Sequence, residues 1–153
     1  MKITGPDDHS FELKLEGYQF PAARPFGSRD ERANRLNVAI EASIREVSWE
    51  AAHPCMSTWQ VQQIAEWAER LLDPNDPHSR LLFPDPELTF HYGGKRSGNI
   101  VIQVNFGGDF LPPKRAYYNL EEDHVWAELI VPPDDLKAWA DSLREALAKY
   151  PPR

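Results

Sequence analysis

Cysteine is all but missing from this chain of 153 residues: Cys55 stands alone, which excludes an internal disulfide framework and favours a reducing compartment. Glycine is sparse, at 8, while proline reaches 14, so the loops are expected to be stiff rather than linker-like. No apolar run approaches the roughly 18 residues of a membrane-crossing helix. The opening MKITGPDDHSFELKLEGY also lacks the apolar stretch of a signal peptide. The expectation is a protein that stays in the cytoplasm and makes no membrane contact. Net positive charge is lacking too. With 24 acidic against 17 basic residues the formal charge is -7, which argues against a phosphate-backbone binder and against direct nucleic-acid contact. Such a surface attracts a basic partner protein, and it also serves plain solubility.

What is present is an ordinary globular composition, 41% apolar and 27% charged, in a length that suits one domain spanning residues 1–153. Phe11, Leu13 and Leu15 alternate with charged residues at the period of a half-buried strand, which Gly17 ends. Tyr18 to Ala33 has no sustained period and reads as an ordered loop. Leu36, Val38 and Ile40 then resume alternation on even positions, whereas Val47, Trp49 and Ala51 occupy odd ones. A turn or bulge near Ser43 to Glu46 would return both arms of a hairpin to one inner face, with Pro54 closing it.

Ser57 and Gln60 have capping-box spacing at the head of a stripe made by Val61, Ile64, Ala65, Ala68, Leu71 and Leu72, which Asp73-Pro74 stops. Leu81 to Phe83, Leu88 to Tyr92 and Ile100 to Phe106 read as extended, the last two joined through Gly93, Gly94 and Gly98, with Lys95 and Arg96 exposed at the tip. Val125, Ala127, Leu129 and Val131 form a last strand. After it Pro133 opens a second amphipathic helix whose stripe is Leu136, Trp139, Ala140, Leu143, Leu147 and Tyr150. The expected class is α+β, with one antiparallel sheet of about six strands and two amphipathic helices packed on one face.

Chemical motifs are scarce. His9, His53, His78, His91 and His124 are scattered without zinc-ligand spacing, and neither glycine-rich stretch has a phosphate-loop pattern, so no metal and no cofactor is expected. In His53-Pro54-Cys55 a base lies near a nucleophile, but that spacing does not establish hydrogen-bond reach, and Cys55 reads as a small buried hydrophobe. The candidate sites are therefore partner-binding ones. Asp109, Tyr117, Tyr118, Glu121, Glu122, Asp123, Trp126 and Glu128 surround or form the last strand, and combine carboxylates with large amphipathic rings. Trp67 and Trp139 are expected in the core. Trp126, on the face opposite Ala127 and Leu129, is the aromatic expected to make an outside contact.

HPCMSTWQVQQIAEWAERLL (His53 to Leu72), GYQFP at Gly17 to Pro21, RLNVAIEA, FPDPELTFHY and the ending LREALAKYPPR together resemble the WapI family of bacterial immunity proteins. Members of that family are small cytoplasmic partners of contact-dependent or Rhs-type polymorphic toxins. His53 stands before Pro54 where an acidic residue would be expected. The resemblance implies no enzyme but an inhibitor that binds a cognate toxin domain, and it supplies no active-site residues. The free protein is expected to be a monomer or weak homodimer. Two other classes stay open: a small enzyme using His53 or His91 with a nearby carboxylate, and a homo-oligomeric structural protein.

Overall fold

Buried and more exposed residues alternate from Arg35 to Ile44 and from Trp126 to Val131, whereas Leu88–Phe90 and Ile100–Ile102 are buried on both faces, in the computed structural model, which describes residues 1–75, 80, 81, 83, 87–114 and 125–153. The first half pairs β1 (Lys2–Thr4), β2 (Ser10–Tyr18), β3 (Arg35–Ile44) and β4 (Val47–Ser57) in that order, every neighbour antiparallel. Between β2 and β3 lies the short helix α1 (Glu31–Asn34), capped by the Asp30 side chain. The chain then leaves the sheet through α2 (Thr58–Arg70). A second antiparallel sheet follows, of β5 (Arg80–Leu81), β6 (Leu88–Arg96), β7 (Asn99–Phe106) and β8 (Trp126–Val131), and α3 (Pro133–Lys149) closes the order.

The α+β class is thus as expected, but the single sheet of about six strands is not: there are two separate sheets. Alternation tells a strand which of its faces is inside, not which neighbour it will bond. The helices share one apolar interior with both sheets. Val61, Ile64, Ala65 and Ala68 of α2 and Leu136, Trp139, Ala140 and Leu143 of α3 join Phe11, Val38 and Ile40 from the first sheet and Phe90, Ile102 and Leu129 from the second. Phe90 lies at the meeting point, its ring 5.9 Å from Phe11, 6.0 Å from Trp67 and 6.3 Å from Trp139. Trp67 and Trp139 are buried, as expected. The helices also touch each other, with both guanidinium NH groups of Arg144 donating to the Glu69 carboxylate.

Local signals explain most boundaries. The parity change is absorbed by a two-residue turn between the paired Ile44 and Val47, where Arg45 adopts φ 54°. Pro54 does not close the hairpin, because β4 runs on to Ser57. It is tolerated there because β4 is an edge strand and the register shifts beside it, between Leu36 and Val38 of β3. The β6–β7 turn falls on Ser97-Gly98, at φ 52° and 81°, the type I′ signature. Gly93 and Gly94 instead belong to a bulge inside β6, and Lys95 and Arg96 are strand residues, though exposed as expected.

The capping box of α2 is fully formed: the Ser57 hydroxyl accepts from Gln60 N, and Ser57 N donates to Gln60 Oε1 at 2.7 Å. Replacing Ser57 with Ala should lower stability by about 1 kcal/mol, read as a shifted urea midpoint with an unchanged slope.

The stretch from Tyr18 to Ala33 is ordered by distant chain rather than by its own periodicity. Arg153 donates to the carbonyls of Phe20, Pro21 and Ala33, and its guanidinium lies 3.7 Å from the centre of the Tyr18 ring. Asn34, fully buried, exchanges hydrogen bonds with the Arg153 backbone.

Candidate functional site

His53 continues the odd-numbered row of Val47, Trp49 and Ala51, so it lies on the inner side of edge strand β4, at the residue where the register shifts. The segment facing it is the 3-10 turn Gly108–Phe110 that follows β7. Three contacts fix that turn. Trp49 Nε1 donates to the Phe110 carbonyl at 2.9 Å, Gly107 N donates to the Glu87 carbonyl at 2.9 Å, and the Trp49 ring meets Phe106 edge-on at 5.0 Å. Gly108 holds φ 53°, and a Cβ there would stand 3.1 Å from Glu87 Cγ, so glycine both permits the turn and leaves room for the glutamate.

Three chain-distant residues converge as a result. His53 Nδ1 lies 3.2 Å from Asp109 Oδ2, and His53 Nε2 lies 3.8 Å from Glu87 Oε1. The imidazole and the Glu87 side chain are 32% and 18% exposed, and Asp109 is open to solvent at 64%. His53 also borders an open groove lined by Phe20, Arg32, Arg35 and Pro54. Cys55 is buried in the core, as expected, whereas both imidazole nitrogens face carboxylates.

The expected partner-binding residues divide into three groups. Asp109 belongs to this cluster. Trp126 and Glu128 share the outward face of β8, opposite Asn105 and Gln103 of β7, and both are half-buried. Tyr117, Tyr118, Glu121, Glu122 and Asp123 lie outside the described residues. Among the described residues no hydrogen bond or ion pair joins Asp109 to Trp126 or Glu128. The Glu128 carboxylate pairs with Arg96 at 2.9 Å, and its backbone N–H donates to His9 Nδ1 at 2.9 Å. Sequence reasoning passed over Glu87, and also Phe26, whose ring is 94% exposed in the loop before α1.

A second acidic surface lies on the outward face of the first sheet, where Lys2, Glu12, Glu41 and Glu50 form one cross-strand row. Directly opposed glutamates repel. Lys14 offsets this: it donates to Glu41 and lies 3.7 Å from Glu12 Oε2. The hydrogen bond to Glu41 holds the Lys14 ammonium above its ordinary pKa, and the same bond holds Glu41 below the usual carboxylate value. These charges are largely matched within the sheet.

The description "Immunity protein WapI-like family" matches residues 2–151, nearly the whole chain. The chain belongs to the WapI-like immunity protein family. The resemblance read from its segments is therefore correct. Membership carries an immunity role and implies a toxin partner, and it speaks for a non-catalytic protein. No curated protein and no solved structure matches the chain. No helix among the described residues is long and apolar enough to cross a membrane.

Proposed function

We propose that this WapI-like chain neutralises a cognate toxin domain in the cytoplasm by one-to-one binding, acting as a single unit without catalysis. The family match over residues 2–151 carries the reading. The charge of -7 supports a basic toxin, since opposite fields speed encounter and matched surfaces fix register. In this reading the contact surface is the neighbourhood of β8: Trp126 and Glu128 on its outward face, Asp109 on the turn after β7, and Tyr117, Tyr118, Glu121, Glu122 and Asp123 in the connecting stretch. Nucleic acid and membrane take no part, and the free protein is a monomer or weak homodimer. Calorimetry with the toxin domain encoded beside this chain should give a one-to-one complex whose association slows as salt rises. Absence of any complex would overturn the proposal.

Trp126 is the expected anchor, because tryptophan is among the residues in which interface energy concentrates and this one is half-exposed on the outward face of β8. Trp126→Ala should weaken the complex by about 2 kcal/mol, roughly 30-fold, with the circular dichroism spectrum unchanged. A loss produced by Phe26→Ala instead would move the contact to the loop before α1.

The enzymatic alternative gains residue types from the His53 cluster but not an enclosed setting. The cluster opens to solvent at Asp109, and His53 borders an open groove rather than a sealed cleft.

A further inference from the structure

The cluster of His53, Glu87 and Asp109 has more acceptors than donors. A neutral imidazole carries one N–H and one lone pair, while a carboxylate only accepts. Both His53 nitrogens face carboxylate oxygens, Nδ1 at 3.2 Å from Asp109 and Nε2 at 3.8 Å from Glu87. In the neutral ring, whichever nitrogen holds the proton, the other sets its lone pair against an anion. Glu87 Oε2 deepens the imbalance, being a buried oxygen with no hydrogen-bond donor among the described residues. A buried acceptor left in this way costs free energy that a cation would recover.

We infer that His53, Glu87 and Asp109 form a binding site for one divalent transition-metal ion of the zinc or manganese kind. One ligand atom from each residue falls within a set no wider than 4.8 Å. Tetrahedral zinc with bonds of about 2.0–2.1 Å places its ligand atoms about 3.4 Å apart, so the movement needed to close the set is of side-chain size. The backbones that carry the ligands are already tied, Glu87 to Gly107 and the 3-10 turn to Trp49. One imidazole with two carboxylates suits zinc or manganese. Calcium and magnesium prefer all-oxygen shells, and metals selected by thiolates find none here. Three protein ligands leave a coordination position for water, and the exposed Asp109 carboxylate gives the ion a way in.

The test is calorimetry and thermal melting of the full chain with zinc chloride and manganese chloride, against magnesium and calcium chlorides. The expected result is one ion bound per chain and a raised melting temperature for zinc or manganese. His53→Gln and Asp109→Asn should each lower the affinity at least about tenfold, while His91→Gln leaves it unchanged. Nitrogen-15 spectra of the unaltered protein give a reading independent of variant folding, since the His53 ring resonances should shift on addition of zinc. Saturable binding that both variants retain, or His53 resonances that no metal moves, would overturn the site. Toxin binding is a separate measurement, so failure of either proposal is visible without the other.

Discussion

Phe90→Ala should cost about 3–5 kcal/mol, the range for removing a large aromatic ring from a packed core. At about 2–4 °C per kcal/mol for a chain of this size, the melting temperature should fall by roughly 6–20 °C. The position earns the upper part of the scale because the ring serves four elements at once. Phe90 is fully buried on β6, meets Phe11 of β2 edge-on at 72°, and contacts Trp67 of α2 and Trp139 of α3. Collapse around the void would require the two sheets and both helices to shift together, and the Glu69–Arg144 pair already ties those helices to each other. Phe90→Leu fills most of the space and should cost appreciably less. Phe26→Ala, at 94% exposure, should stay within about 0.5 kcal/mol. Urea unfolding of the three variants checks the order, and a Phe90→Ala loss as small as that of Phe26→Ala would remove Phe90 from the centre of the core.

The same ring shows what the sequence could and could not tell. Alternation places Leu88 and Phe90 on one face of an extended stretch, and both are fully buried. Period and capping report on neighbours within a few residues, so the Ser57–Gln60 box, the parity change around Arg45, the last strand and the helix opened by Pro133 were all legible. β1, with three residues, and α1, with four, are too short to show a period. The Gly93-Gly94 pair drew the turn toward itself, although the type I′ site is Ser97-Gly98. Strand partnership was out of reach, because nothing local distinguishes a fifth strand of one sheet from the first strand of another. The His53 cluster shares that difficulty. Its members sit on β4, just before β6 and just after β7, and none is part of a spacing motif. Only the row of Val47, Trp49 and Ala51, continued by two residues, pointed His53 inward.

Gly5→Ala tests how the two sheets meet. A Cβ at Gly5 would stand 1.9 Å from the Glu128 carbonyl oxygen and 2.9 Å from Leu129 Cα, so the atoms in the way are backbone of β8. Beside this approach, the Glu128 N–H donates to His9 Nδ1, and Gly5 N donates to the His9 carbonyl at 2.8 Å. Accommodating one methyl therefore means separating the end of β1 from β8 and stretching or breaking the His9 bond. Overpacking of about 1–3 kcal/mol and a lost hydrogen bond of about 1 kcal/mol sum to roughly 3 kcal/mol, or a melting temperature lower by about 6–12 °C. The unfolded state works the other way, since alanine restricts the free chain and by itself would favour folding by about 0.4–1 kcal/mol. A net destabilisation is thus steric in origin. Gly93→Ala supplies the comparison: its Cβ would come within 2.9 Å of Val101 Cγ1, a side-chain atom that can turn aside, and its loss should be smaller. Equal losses for the two variants would mean that the sheets do not meet backbone to backbone at Gly5.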